Sequence, residues 1–419
     1  MQGRELIIFL AMTMALSALG IDLLLPAFPE IRTEFGLDAG STLVSRFITA
    51  YLVGLAGGQL LIGPLADRFG RRTLLRLGIV LYAAGAALTI VAPSFTLLLV
   101  TRFVWGLGAA TGRVLTVAIV RDRFVGAAMA RTISTIMAVF ITVPVVAPAL
   151  GSSLLRRFTW DQLVLLNLLA AATMLLWSLR LAETLPADTR RTLGLADLRS
   201  ATARVLRHPA SGPLVLAQAL LFGGFSSYLS TSEVVYREVF GRESQFPLLF
   251  GGMALLMGVA SLVNSCVVER IGLGRMLRID LGGYLVGAVA LVALALATAG
   301  TPPLPPYVLL LGVLLSSHTM LIPNLNARAM EPMGDIAGTA GAINGSMLIG
   351  LGALIGSVFD RAYDGTVRPL TMALLWSGLV AAALVLRSGT TVSGTGAPSG
   401  GPRPDRRPDG RSAARRGPS

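Results

Sequence analysis

The sequence predicts an all-α membrane protein of twelve transmembrane helices, arranged as two pseudo-symmetric six-helix bundles. Of its 419 residues, 54% are hydrophobic and only 14% are charged, whereas roughly 25% of the residues in a water-soluble domain are charged. Apolar stretches recur from end to end, each near the roughly 20 residues that a helix needs to cross a bilayer. An internal repeat divides the chain into two halves. An ordinary water-soluble domain is therefore excluded.

Twelve apolar segments define the predicted helices in order. The first six lie near residues 6–28, 43–66, 73–92, 95–119, 132–155 and 160–181, and the second six near 212–236, 246–268, 276–299, 305–328, 336–358 and 367–387. The predicted parts of the chain are an N-terminal bundle (1–181), a basic cytoplasmic linker (182–211), a C-terminal bundle (212–387) and a cytoplasmic tail (388–419). We expect an amphipathic helix at the membrane surface in the linker and disorder in the tail, which is rich in Gly, Pro, Ser and Arg.

The internal repeat joins the second helix of each half to the third. Residues 63–76 read GPLADRFGRRTLLR, and residues 265–278 read SCVVERIGLGRMLR. The matching positions are Asp67 with Glu269, Arg68 with Arg270, Gly70 with Gly272 and Arg76 with Arg278. Paired six-helix halves are the architecture of many secondary transporters.

The net charge of +13 arises from 35 basic residues, all of them arginine, against 22 acids. Arginines cluster in the loops after the second, fourth and sixth helices, so the excess indicates topology and not a nucleic-acid-binding face. Both termini are predicted to be cytoplasmic, and the lysine-free, alanine-rich composition suggests the inner membrane of a bacterium with a GC-rich genome. This assignment leaves four charged residues inside the membrane: Asp22, Arg46, Arg102 and Arg113.

Scarce residue types exclude several kinds of chemistry. Cys266 is the only cysteine, and His208 and His318 are the only histidines, which is too few for the usual zinc, haem or iron–sulfur sites. The absence of lysine excludes a phosphate-loop lysine. No catalytic residue, metal site or cofactor is predicted, and the chain is not expected to be an enzyme.

The loop between the second and third helices carries the most specific motif. It reads Gly63-Pro64-Leu65-Ala66-Asp67-Arg68-Phe69-Gly70-Arg71-Arg72 and resembles the signature loop of the major facilitator superfamily. Gly63 would permit close helix approach, and Asp67 can cap a helix N-terminus while pairing with arginine. The resemblance implies that this helix is the eleventh, and that a cluster of Asp67, Arg71 and Asp122 holds the inner gate. The alternative is a positive-inside loop that sets topology and does nothing more. The predicted gate residues are Gly63, Asp67, Arg68, Gly70, Arg71, Arg72 and Asp122.

Charged residues within helices predict a proton-coupling site made of Asp22, Arg102 and Arg113. Arg102 begins RFVWGLGAA in the fourth helix, which resembles the second motif of the same superfamily, and its small residues let helices pack closely. An arginine in hydrocarbon costs about 2.5 kcal/mol or more, so it is usually paired or hydrated. Asp22 lies about 9 Å from the outer end of the first helix and Arg102 about 10 Å from that of the fourth. We therefore expect contact if the helices adjoin; the alternative for Asp22 is a structural acid at the outer rim.

The fifth helix and the C-terminal half resemble one branch of the superfamily. Residues 147–152, APALGS, resemble the antiporter motif of drug exporters through Pro148 and Gly151, where the proline can bend the helix. Residues 228–232 and 245–251 are similar to helices 7 and 8 of the bicyclomycin-resistance (Bcr/CflA) branch of drug:proton antiporters. Glu233 departs from that branch, which has proline there; we expect either an additional proton or cation site or a hydrated rim residue.

Polar and aromatic side chains inside apolar helices are candidates to line a substrate cavity. They are Tyr51, Gln59, Gln218, Phe225, Tyr228, Glu233, His318 and Asn344. The resemblance implies a monomeric exporter of small amphipathic drugs, driven by a proton gradient without cofactors, with substrate, protons and the lipid bilayer as partners. The alternatives are a superfamily member dedicated to one metabolite, such as a nucleoside, sugar or amino acid, and, less favoured, a non-transporting membrane receptor.

Overall fold

The computed structural model describes residues 1, 3–186 and 194–389 of the chain. These residues form helices and connections, with no β-strand among them. The predicted tail lies almost wholly outside the described residues, as does the middle of the predicted linker. The "inner side" below is the face predicted to be cytoplasmic, and the "outer side" is the opposite face.

Eight helices precede the C-terminal half. They are α1 (Gly3–Asp22), α2 (Phe28–Glu34), α3 (Arg46–Phe69), α4 (Arg71–Ile90), α5 (Phe95–Arg123), α6 (Gly126–Leu154), α7 (Trp160–Ser178) and α8 (Leu195–Arg207). The remaining seven are α9 (Ser211–Val234), α10 (Phe246–Ile271), α11 (Leu273–Ala297), α12 (Leu304–Met330), α13 (Ala337–Ser346), α14 (Gly352–Asp360) and α15 (Arg368–Arg387). A π-helical turn, Met347–Leu351, joins α13 to α14.

Twelve membrane crossings follow from eleven long apolar helical stretches in the described chain. The tenth stretch, Leu304–Asp360, has 57 residues, nearly three times the roughly 20 residues of one crossing. Its backbone leaves helical geometry at Met333, where φ is −108° and ψ is 21°. The stretch therefore crosses twice, once as α12 and once as α13 with α14, which agrees with the predicted twelve helices.

The first helix ends earlier than predicted. The sequence predicts a helix to residue 28, but α1 ends at Asp22 and a short 3₁₀ turn, Leu25–Ala27, follows it. The reason is Pro26, since the ring of a proline in a continuous helix clashes with the carbonyl four residues earlier, here that of Asp22. The break leaves the last carbonyls of α1 without intrahelical partners. These carbonyls lie next to Asp22, the first residue of the predicted coupling site.

Glycines in α5 let it lie between α3 and α4 at short range. A methyl group at Gly106 would collide with the carbonyl oxygen of Tyr51 on α3, and one at Gly108 would collide with the backbone of Tyr82 on α4. The small residues after Arg102 therefore serve close helix packing, as predicted from their spacing. Gly63 does not do so, because a methyl group there would meet nothing within 4 Å; the predicted close approach at Gly63 is wrong for this conformation.

The linker contains a helix, as predicted, but it packs on protein. Ala201 and Val205 of α8 are buried, and the helix contacts α9 and α13 at the inner side. Arg204 forms two hydrogen bonds to the carboxylate of Asp335, at 2.6 and 3.0 Å, just before α13. The apolar face of α8 is thus covered by the C-terminal half.

Candidate functional site

Arg102 lies at the centre of the N-terminal bundle and is fully buried. Its guanidinium carbon is 4.0 Å from the ring centroid of Phe47 and 4.6 Å from those of Tyr51 and Trp105. Nη2 donates to the carbonyl of Gly20 at 2.9 Å, and Nε donates to that of Phe47 at 3.4 Å. Aromatic faces and carbonyl oxygens therefore stabilise this cation.

Asp22 is not paired with Arg102. Helices α1 and α5 adjoin, yet Arg102 takes the carbonyl of Gly20, one of those freed by the end of α1, instead of the Asp22 carboxylate. Asp22 is 6% exposed and has no hydrogen bond or ion pair with any described residue. The expected contact is therefore absent from this conformation: the buried acid has no partner among the described residues, and the cation has other partners.

Arg113 completes the predicted trio at a lower level of α5. Its guanidinium carbon lies 5.7 Å from the ring centroid of Phe140 on α6, and the side chain is half-buried. No carboxylate of the described chain pairs with it. The structure thus places Arg102 against α1 and α3 and Arg113 against α6, without an ion pair among the three predicted coupling residues.

The signature loop forms a compact ionic cluster at the inner side. Arg71 pairs with Asp67 at 2.7 Å and with Asp122 at 3.3 Å, and its side chain is only 5% exposed. Thr184 donates to the same Asp122 carboxylate at 3.2 Å. The structure therefore brings Asp67, Arg71 and Asp122 together, joining α3, α4 and α5. Arg68 and Arg72 are exposed without ion pairs.

The helix end in this cluster is capped by an acid that sequence reasoning missed. Glu183 accepts hydrogen bonds from the backbone N–H groups of Arg71 at 2.9 Å and Arg72 at 3.2 Å. It caps α4, whose N-cap residue, Gly70, has a φ of +92° and no side chain to serve. The expected cap by Asp67 on the eleventh helix, α13, is not formed. Gly70 in the sequence could have indicated such a cap, because a helix that begins after glycine needs an acceptor from elsewhere for its first backbone N–H groups.

The antiporter-motif residues lie beside the break in α1. Pro148 and Gly151 of α6 are both buried. A methyl group at Gly151 would collide with the carbonyl oxygen of Leu23, the residue after Asp22. The motif therefore brings α6 against the segment that carries the unpaired acid.

The predicted cavity residues form separate groups. Tyr51 donates to the Ser17 carbonyl at 2.9 Å, so it supports Arg102 in the N-terminal bundle. Gln218 and Asn344 exchange hydrogen bonds at 3.2 and 3.3 Å. Phe225 stacks on His318 with ring centroids 5.0 Å apart, and Tyr228 stacks on Phe250 with centroids 5.9 Å apart. Gln59 faces Gly345. In the C-terminal half, the aromatic members therefore form one continuous group on α9, α10 and α12.

Glu233 is neither a cavity residue nor a hydrated rim residue in this structure. Its carboxylate pairs with Arg32 of α2 at 2.8 Å, with the two side chains only 4% and 2% exposed. It also pairs with Arg237 at 2.9 Å. The sequence could not show this partnership, because Arg32 and Glu233 belong to opposite halves of the chain.

Further polar contacts join the two halves at the same outer end. Arg237 donates to the carbonyl of Ala39 at 2.7 Å, and Thr42 donates to that of Asp360 at 2.8 Å. Helices α6 and α10 also touch toward the outer side, where a methyl group at Gly251 would lie 2.7 Å from the Val145 carbonyl oxygen. Within the described residues, no hydrogen bond or ion pair joins the two bundles at the inner end.

Comparison with known proteins identifies the fold and the family. A sequence profile described as Major Facilitator Superfamily matches residues 10–357. The chain belongs to this superfamily. It is 32% identical over 364 residues to "Uncharacterized MFS-type transporter YdgK" of Bacillus subtilis, covering 84% of this chain and 88% of that one.

A second sequence relative and a solved structure agree with this family and this fold. The chain is 30% identical over 379 residues to "Bicyclomycin resistance protein homolog" of Haemophilus influenzae, covering 88% of this chain and 93% of the relative. A crystal structure of a D-xylose-proton symporter matches with a TM-score of 0.72 at 14% identity, covering 92% of this chain and 99% of that one. The likeness to the symporter structure shows the fold, and the relative named for bicyclomycin resistance agrees with the predicted drug-antiporter branch.

Proposed function

We propose that this protein is a proton-coupled exporter of small amphipathic organic molecules, including antibiotics, that works by alternating access. Membership of the superfamily and the relative named for bicyclomycin resistance support the class of substrate. The observation that carries the coupling is the buried Asp22, which has no ion pair with any described residue, while Arg102 bonds to the carbonyl of Gly20 two residues before it. A carboxyl group in that setting can take up and release a proton.

The conformation of this structure is closed to the outside under this proposal. Ion pairs and hydrogen bonds between the bundles are concentrated at the outer end, around Glu233 and Arg32. At the inner end, the Arg71 cluster lies wholly within the N-terminal bundle, so it does not lock the two halves together. In the proposed cycle, rocking of the bundles breaks the outer contacts and exposes Asp22 to protons from outside.

Proton binding at Asp22 would act through the break in α1. Arg102 holds the Gly20 carbonyl two residues before the acid, and Gly151 of the antiporter motif packs on the residue after it. A change in the charge of Asp22 therefore acts on α1, α5 and α6 together. We further propose that both termini are cytoplasmic, that the membrane is the bacterial inner membrane, and that a single chain suffices.

Transport by purified protein in liposomes tests the proposal. With an inwardly directed proton gradient set across the membrane, we expect the wild-type protein to transport ethidium, a fluorescent amphipathic cation, against its concentration gradient. Asp22→Asn should strongly reduce the response to the gradient. Asp38→Asn, which changes an exposed acid after α2, is the matched control and should behave as the wild type. Ethidium flux that ignores the gradient, or that Asp22→Asn leaves unchanged, would sink the mechanism.

A further inference from the structure

Another buried acid lies in the C-terminal bundle, within a cluster of amides. Asp280 of α11 is 2% exposed, and its Oδ2 accepts a hydrogen bond from Nδ2 of Asn324 on α12 at 2.8 Å. Asn324 and Asn264 of α10 bond to each other through both side chains, at 2.9 and 3.4 Å. Three neighbouring helices thus contribute one buried polar side chain each to a single hydrogen-bonded cluster.

The three residues lie at the same depth. Asp280 is seven residues beyond the start of α11 at Leu273, Asn264 is seven before the end of α10 at Ile271, and Asn324 is six before the end of α12 at Met330. At 1.5 Å per residue, each lies roughly 10 Å from the inner end of its helix. The cluster is therefore a short distance from the face predicted to be cytoplasmic.

No cation of the described chain neutralises Asp280. The helices packed on α11 are α10, α12 and α15, and Arg275 and Arg278 of α11 itself are exposed. The charged or titratable side chains of the packed helices are Cys266, Glu269 and Arg270 on α10, Tyr307, His318 and Arg328 on α12, and Arg368 and Arg387 on α15. None of them forms an ion pair or a hydrogen bond with Asp280. An isolated buried carboxylate is costly, so such a group either carries a proton or binds a cation.

The geometry favours a proton over a metal cation. A metal cation would need several oxygen ligands directed at it. Here the Asn324 group that faces the carboxylate is an N–H donor, and the amide oxygens of Asn264 and Asn324 already accept hydrogen bonds from each other. One carboxylate oxygen is thus held by an amide, while the other carboxylate oxygen can carry the proton.

We propose that Asp280 is a second proton-binding site, which releases its proton to the inner side during the transport cycle. This inference rests on the proposed proton-coupled function. Pro323 directly precedes Asn324 inside α12, and a proline in a helix removes a hydrogen bond and permits bending. Bending of α12 at Pro323 moves Asn324 relative to Asp280 and opens the carboxyl group to inner water, where the proton leaves and the carboxylate forms.

Infrared difference spectroscopy tests proton binding directly. Purified protein in lipid is taken from acidic to alkaline pH, and the carbonyl band of protonated carboxyl groups is recorded. We expect Asp280→Asn to lose a band that the wild-type protein shows. The exposed acid Glu269, on the neighbouring helix, gives the matched control Glu269→Gln, which should retain the band. A wild-type spectrum and an Asp280→Asn spectrum with identical carboxyl bands would overturn the proposal.

A second measurement tests whether this proton is used. The number of protons exchanged per ethidium is determined in liposomes from the membrane potential at which net flux stops. We expect Asp280→Asn to exchange one proton fewer than the wild-type protein. An unchanged proton number would refute the transport role even if the infrared band is lost. If the wild-type protein does not move ethidium at all, the proposed function fails for this probe, while the infrared result still decides whether Asp280 binds a proton.

Discussion

The outer ion pair between Arg32 and Glu233 predicts how strongly the outer gate is held. In Glu233→Gln, Arg32 would remain buried at 2% exposure without a counter-charge, and removal of one partner of a buried pair costs about 3–5 kcal/mol. If opening of the gate hydrates Arg32, the variant raises the free energy of the closed conformation and leaves that of the open conformation unchanged. At about 3 kcal/mol, the ratio of open to closed molecules rises roughly 150-fold.

Labelling of a thiol behind the gate measures this ratio. Ser230 of α9 lies three residues before Glu233 and is 3% exposed, so Ser230→Cys in a Cys266→Ser background reacts with a membrane-impermeant maleimide from outside only when the gate opens. We expect Glu233→Gln to accelerate labelling by up to two orders of magnitude. Arg32→Gln should have a smaller effect, because Glu233 then keeps Arg237 as its partner at 2.9 Å.

The control for this experiment is an acid at the same end with a weaker pair. Glu238 pairs with Arg237 at 3.4 Å, and its side chain is 27% exposed. Partly exposed pairs contribute about 0–1 kcal/mol, so Glu238→Gln should accelerate labelling less than roughly tenfold. Equal labelling rates in the Glu233→Gln and Glu238→Gln proteins would refute the assignment of the buried pair as the main outer lock.

Two further predictions concern stability at the inner loop and in α5. Glu183→Ala should destabilise the protein by about 1 kcal/mol or more through loss of the α4 cap, seen as a lower Tm of the purified protein. Glu269→Ala, which changes an exposed acid near the end of α10, should leave Tm unchanged. Gly106→Val should reduce the yield of folded protein, measured by size-exclusion chromatography, because its side chain would overlap the Tyr51 carbonyl. Gly63→Ala should be tolerated, and an equal loss of yield for both glycine variants would contradict the packing argument.

Local patterns in the sequence predicted the helices and the inner loop well. The lengths of the apolar segments predicted twelve crossings. The resemblance of residues 63–72 to the signature loop of the superfamily implied the cluster of Asp67, Arg71 and Asp122, and the structure contains these ion pairs. The end of α1 was misplaced because its hydropathy continues past Asp22, whereas the steric effect of Pro26 on the carbonyl four residues earlier decides where the helix stops.

The partners of buried charges could not be predicted from local pattern, since they come from distant parts of the chain. Glu183 caps a helix more than one hundred residues away in sequence, and Arg32 finds Glu233 across the two halves. Asp280 falls within the predicted ninth helix, near 276–299, but it was not counted among the charged residues inside the membrane. Only the packing of α10 and α12 shows that it is buried with Asn264 and Asn324.

The surroundings of two buried acids explain which of them can exchange a proton at low cost. Protonation of Glu233 would leave Arg32 buried with no counter-charge, at the cost estimated above for its removal. Protonation of Asp22 leaves Arg102 unaffected, because three aromatic rings and two carbonyl oxygens already stabilise that guanidinium. The absence of an Asp22–Arg102 ion pair is therefore an advantage for coupling: the acid can change its charge with the conformation, while Arg102 keeps α1, α3 and α5 together throughout.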